Sequence, residues 1–159
     1  RYLKIYTFLP LTEISALMEL HQRNPGERQA QETLARLVTE IVHGPAATAQ
    51  CAAASDALFG NTPFNELSRD ALAVALAEAP SVTLTKKDVT DGSSLAEALV
   101  AGELASSKSD ARRLITGKGI TLFGQTITDP DQKVYLGDFS NGHALVRKGK
   151  QGVLILALK

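Results

Sequence analysis

The chain has 159 residues, 44% of them apolar and 21% charged, which suits one ordinary domain or two small ones and excludes wholesale disorder. Cys51 is the sole cysteine, so an internal disulfide and a cysteine-rich zinc site are excluded, and no apolar run approaches the ~20 residues of a membrane span. Net charge is zero, yet residues 105–159 carry nine Lys and Arg against four Asp (+5), while residues 1–104 carry eight against thirteen Asp and Glu (−5). Such a polarity points to an anionic partner for the basic part.

The opening residues Arg1-Tyr2-Leu3-Lys4 lack the apolar stretch of a signal peptide and no Met precedes them. The chain is therefore expected to begin inside a larger polypeptide. Thr12 is placed to cap a first helix whose apolar positions are Ile14, Leu17 and Met18, with Glu13 in its first turn. Asn24, Pro25 and Glu27 predict a second start: a capping Asn, Pro at the first helical position and an acid three residues after the cap. Leu34, Leu37, Val38, Ile41 and Val42 then mark one helical face, which Gly44 and Pro45 should end. An Ala-rich helix is expected over residues 46–59, with Cys51, Ala54 and Leu58 in phase and Cys51 serving as packing. Another is expected over residues 65–79, stopped by Pro80.

From Thr83 to Ser93 the sequence turns polar, and the domain boundary is placed near residue 90. The expected division is a helical domain over residues 1–83, a linker over 84–92 and a second domain over 93–159. The second domain should open with two capped helices: Ser94 with Glu97 ahead of Leu95, Leu99 and Val100, then Ser107 with Asp110 ahead of Ala111, Leu114 and Ile115. Gly117 and Gly119 stop the latter helix, and Ile120 to Phe123 alternate as a strand. Two final strands, near residues 144–147 and 153–158, flank the turn Gly149-Lys150-Gln151-Gly152. The last is apolar on both faces and so should be central or covered. The fold class is α+β.

The most informative run is Ser106-Ser107-Lys108-Ser109-Asp110-Ala111-Arg112-Arg113-Leu114-Ile115. Lys108 and Arg112 are four residues apart, as are Ser109 and Arg113, so adjacent stripes of one helix carry hydroxyls and cations. Ala111, Leu114 and Ile115 face the other way. A helix start offers free backbone N–H groups and a positive dipole end, and guanidinium groups grip phosphate oxygens in pairs. An ordinary solvated helix face carries similar charge, and Lys-rich turns also protect sheet edges.

Residues 104–128 resemble the alpha-L RNA-binding motif of a ribosomal protein, which recurs in tyrosyl-tRNA synthetases and pseudouridine synthases. The family pattern is a Ser-(Lys/Arg)-Ser-x-Ala-Arg helix continuing to Leu-Ile, then Gly and a strand ending in Asn-Gly. Phe123-Gly124 departs from that last pair. Val146-Arg147-Lys148-Gly149-Lys150 resembles the basic turn before the last strand of the synthetase version. Tyr2-Leu3-Lys4-Ile5-Tyr6-Thr7-Phe8-Leu9-Pro10-Leu11 resembles the synthetase segment that follows the catalytic domain. Arg28-Gln29-Ala30-Gln31, Leu34-Ala35, Val42-His43-Gly44 and Ala57-Leu58-Phe59 resemble its next helices. The chain is thus similar to the C-terminal region of bacterial-type or mitochondrial tyrosyl-tRNA synthetases, with wording closest to fungal mitochondrial members.

The resemblance implies a helical anticodon-binding domain followed by an alpha-L domain, two to three helices packed on a short, mostly antiparallel sheet. It implies recognition of the anticodon region and long variable arm of tRNA-Tyr, with Ser107, Lys108, Ser109, Arg112, Arg113, Lys118, Arg147, Lys148 and Lys150 as RNA-binding residues. For a fungal mitochondrial member the resemblance further implies binding of group I intron RNA and promotion of its splicing; no membrane partner is implied, and dimerisation is expected through a catalytic domain outside these residues. The mitochondrial matrix is the expected compartment, with the bacterial cytoplasm as the alternative.

No active site is expected within the chain, and ATP and Mg belong to the whole ligase. The family's His-x-Gly-His and Lys-Met-Ser-Lys-Ser signatures occur nowhere in it. Gly117-Lys118-Gly119 is no phosphate loop, because Arg112 stands where the upstream Gly belongs and Gly119 replaces Ser or Thr. His21, His43 and His143 lack metal-ligand spacing. A stand-alone alpha-L RNA-binding protein and a helical protein-interaction module are the competing readings.

Overall fold

In the computed structural model, which describes residues 1–60, 62–150 and 152–159, the first unit of the chain (Arg1–Ala52) is built from helices. A short α1 (Leu3–Tyr6) ends where Thr7 turns extended and its Oγ1 donates to the Leu3 carbonyl at 2.6 Å. Helix α2 (Leu11–Arg23) starts directly after Pro10, one residue before the Thr12 expected to cap it. Asn24 does not cap a helix either. Its side-chain amide donates to Glu27, residues Pro25–Glu27 close a 3-10 turn, and Arg28 reverses the chain at φ +55 before α3 (Gln29–Phe59) begins.

Gly44 breaks α3 as expected, with φ +82 and ψ 167, a conformation that suits a residue without Cβ. The core of this first unit is small: Leu3, Ile14 and Ala30 are buried, with Leu9, Leu17, Met18 and Leu34 packed around them. The apolar face of α3 is covered only in part, since Ile41 and Val42 remain more than half exposed. Cys51 is exposed, not packed. Ala54 and Leu58, on the same stripe, are buried in the second unit's core.

The second unit (Ala53–Lys159) starts within α3, so the division lies well before the expected linker. Helix α4 (Arg69–Glu78) is capped by Ser68, whose hydroxyl accepts from the Ala71 N–H. Residues 84–92, read as a linker, are instead part of this unit. Strand β1 (Ser81–Leu84) pairs in parallel with the last strand, Ser81 opposite Ile155. Thr85 and Asp88 then close a reciprocal capping box on α5 (Lys86–Thr90). The Thr85 hydroxyl accepts from the Asp88 N–H, while the Asp88 carboxylate accepts from the Thr85 N–H at 2.9 Å.

A two-residue β2 (Ser93–Ser94) leads into α6 (Leu95–Ala101), and α7 spans Lys108–Thr116. The remaining strands are β3 (Ile120–Leu122), β4 (Gln125–Thr126), β5 (Lys133–Val134), β6 (His143–Lys148) and β7 (Gly152–Leu158). The main sheet has the order β1-β7-β6-β3-β4, antiparallel except at β1–β7, while β2 and β5 pair separately. Of the turn expected at residues 149–152, Gln151 lies outside the described residues.

Strand β7 pairs on both sides and is covered on both faces, as its apolar sequence requires. Leu154 and Leu156 enter a core with Leu95, Leu99, Ala111 and Ile115 of α6 and α7. Val153 and Ile155 enter another with Ala54, Leu58 and Ala75 of α3 and α4. At the end of α6 a Cβ on Gly102 would collide with the fully buried Leu154 side chain, so a larger residue there would push the helix or that leucine aside. The unit is α+β, a sheet between two helical layers.

Candidate nucleic-acid interface

Ser107 is extended and caps α7, its Oγ accepting from the Asp110 N–H at 3.2 Å. The Asp110 carboxylate reaches past the cap to the backbone N–H of Ser106 at 3.1 Å and its hydroxyl at 3.2 Å. It also accepts from Arg113 Nη2 at 2.8 Å. The cap is thus spread over Ser106, Ser107 and Asp110, one residue wider than the box read from sequence. At the Ser94 cap the hydroxyl accepts from the Glu97 N–H, but the Glu97 side chain turns away to Lys108.

Ala111 and Ile115 are fully buried and Leu114 is half-buried, which turns Lys108, Arg112 and Arg113 outward. Each of these cations holds a carboxylate. Lys108 Nζ meets Glu97 at 2.7 Å, Arg112 Nη2 meets Asp131 at 2.8 Å, and Arg113 meets Asp110. The hydrogen bond from Lys108 holds the Glu97 carboxyl below its ordinary range. That from Arg113, with the backbone donor of Ser106, does the same for Asp110. Exposed ion pairs of this kind stabilise little, because water and salt screen them. The cations are therefore held in place without being consumed, and phosphate oxygens can compete for them. Ser109 is exposed on the same turn.

A second group of cations lies at the paired ends of β3 and β6. Ile120 faces Lys148 in the register, and the Gly149 N–H donates to the Gly119 carbonyl at 3.0 Å, which brings the turn bearing Lys150 beside Lys118. Lys118 stands exposed at φ +59 and Lys150 is exposed. Lys148 Nζ donates to the Leu104 carbonyl at 2.8 Å, in the loop that leads to the α7 cap. Arg147 is not in this group. Alternation along β6 sends it through the opposite face of the sheet. There Nη1 and Nη2 donate to the carbonyls of Gly60 and Ala57, each at 2.8 Å.

The sequence reading named the cations but missed their acidic holders, Glu97 and Asp131. Glu97 had a local role as the third residue of a capping pattern, and Asp131 stands in a turn with nothing nearby in sequence to pair it with Arg112. Among the described residues no three His, Cys, Asp or Glu side chains gather as a metal site, and no helix is long and apolar enough to cross a membrane.

Comparison with known proteins bears on the same region. Residues 71–156 match the family described as "Tyrosine--tRNA ligase SYY-like C-terminal domain", and residues 1–60 match "tRNA synthetases class I (W and Y)". The chain is 40% identical over 160 residues to a tyrosine–tRNA ligase of Anaeromyxobacter dehalogenans (strain 2CP-1), covering 100% of this chain and 38% of that protein. It is 41% identical over 160 residues to the tyrosine–tRNA ligase of Roseiflexus castenholzii, covering 99% and 38%. For that of Bifidobacterium longum (strain DJO10A) the figures are 38% over 157 residues, covering 95% and 36%. The chain thus spans little more than a third of the length of these relatives. With the first match covering more than half of its residues, the chain belongs to the tyrosine–tRNA ligase SYY-like C-terminal domain family.

Proposed function

We propose that this chain is the tRNA-binding part of a tyrosine–tRNA ligase and grips tRNA-Tyr, at its anticodon region and long variable arm, mainly through phosphates. The supporting observation is the exposed outer face of α7, where Lys108, Arg112 and Arg113 project behind a capped start, each held only by a solvent-exposed ion pair. Lys118, Lys148 and Lys150 extend the basic surface at the other end of the helix–strand unit. In this reading ATP- and Mg-dependent tyrosine attachment and dimerisation belong to the rest of the ligase. The 159 residues alone are expected to give no tyrosine-dependent ATP–pyrophosphate exchange.

Titration of the chain with tRNA-Tyr over a range of salt concentrations tests the proposal. Arg112→Ala with Arg113→Ala should weaken binding and lower the salt slope by about 0.7–0.9 for each phosphate no longer neutralised. An unchanged slope with an intact melting transition would refute a backbone grip at α7. Group I intron RNA belongs in the same titration as a competitor. The relatives above are bacterial, and neither a fungal mitochondrial origin nor a matrix location draws support from them.

A further inference from the structure

The second unit holds a cavity that the phosphate grip leaves unused. It is an open cleft of about 460 Å³, within the ~300–1,000 Å³ of small-molecule sites. Its lining includes three aromatic rings, Phe64, Phe123 and Phe139, together with Asn65, Leu145 and Arg147. Phe64 is buried and Phe139 is half-buried, so those two form fixed walls. Phe123 is 40% exposed. Arg147 is anchored to the Ala57 and Gly60 carbonyls, which fixes its guanidinium at the cavity wall.

Phe123 is unusual in its backbone. It takes φ +50 ahead of Gly124 at φ +76, and its N–H donates to the Leu145 carbonyl at 3.1 Å. Asn or Gly suits that left-handed position, and a large aromatic residue does not. The turn therefore presents a phenyl ring where the local backbone would favour a small polar residue.

We propose that this cavity is a subsite for one unpaired nucleobase of the bound RNA, stacked on Phe123 and read at its edge by Asn65. The proposal rests on the tRNA-binding reading above. Flat apolar walls suit the face of a base, and the exposed Asn65 amide offers both a donor and an acceptor to its edge. Stacking on an aromatic ring is open to any base, so the ring supplies affinity and the amide supplies choice.

The test uses the full 159-residue chain and a tRNA-Tyr transcript. Phe123→Asn removes the ring while suiting the turn, and Phe123→Tyr keeps a ring. Loss of one stacked base weakens binding by roughly tenfold. Phe123→Asn should show that loss with the wild-type salt slope, and Phe123→Tyr should restore affinity. Base-specific chemical probing should show an unpaired base protected by the wild type and reactive again with Phe123→Asn. If the wild type binds with a steep salt slope, but Phe123→Asn leaves affinity and protection unchanged, the subsite is overturned while the phosphate grip stands. If the wild type binds no RNA, both readings fall.

Discussion

Arg147 on β6 closes the end of α3, with Nη2 on the Ala57 carbonyl and Nη1 on the Gly60 carbonyl, each at 2.8 Å. The last carbonyls of a helix have no partner within it, and a cation there also meets the negative end of the helix dipole. Arg147 thus ties the helical layer of α3 and α4 to the sheet, a structural duty for a residue that its place in a basic run had suggested for RNA.

Arg147→Ala is accordingly expected to destabilise the chain by about 2–4 kcal/mol, since two charge-assisted hydrogen bonds vanish and carbonyls are left unpaired. Arg147→Lys should recover only part of this, because an ammonium cannot span two acceptors as the fork does. Urea denaturation of the three proteins checks it. Equal midpoints for wild type and Arg147→Ala would show the tie to be idle.

The division at Ala52 and Ala53 makes a second prediction. A chain starting at residue 91 lacks β1, α4 and the end of α3, leaving one edge of β7 open and Leu145, Val153 and Ile155 uncovered. It should be poorly folded or associated. A chain of residues 53–159 keeps all of these and should melt cooperatively. Circular dichroism with light scattering separates the two. Cooperative, monomeric melting of the shorter piece would restore the boundary near residue 90.

That boundary shows where the sequence could be read and where it could not. The caps at Ser94 and Ser107, the buried stripe of α7 and the double-sided burial of β7 were legible because each depends on neighbours within a few residues. Thr85-Lys86-Lys87-Asp88 carries the same Ser/Thr-x-x-acid pattern as the other caps, but its polarity disguised a five-residue helix as a linker. The pairing of Ser81–Leu84 with β7 joins distant parts of the chain, and no local pattern announces it. Likewise, alternation puts Arg147 and Lys148 on opposite faces of β6, but only the fold says that the end of α3 waits on one of them.

Acid should loosen the start of α7. The Asp110 carboxyl is held below its ordinary range, first by Arg113 and then by the Ser106 N–H. Its folded-state pKa therefore lies under its unfolded one. The stabilisation is fully present above the unfolded value and is lost as pH falls through the folded one. Melting temperature should drop as pH is lowered through and below the usual carboxylate range of about 4. Asp110→Asn should flatten part of that drop, as read from melting curves between about pH 2.5 and 6. An identical pH profile for the variant would assign the acid sensitivity elsewhere, with Glu97 and Asp88 the next groups to replace.

Asp131 offers the sharpest test of the proposed interface, because in that reading it would oppose binding in two ways. Its carboxylate occupies Arg112 Nη2 at 2.8 Å, and its own charge repels an approaching phosphate. Both effects are modest on an exposed surface. Asp131→Asn removes the charge and keeps the side chain's shape, so Arg112 is freed while the turn, where the Asp131 N–H donates to Asp129, is retained. Affinity for tRNA-Tyr should rise by about two- to fivefold at low salt, with the gain shrinking as salt is added. Glu97→Gln should act in the same direction through Lys108. In a background of Arg112→Ala the gain from Asp131→Asn should diminish, leaving only its long-range part. A loss of affinity in Asp131→Asn, with melting unchanged, would mean that the carboxylate orients Arg112 for RNA and does not compete with it.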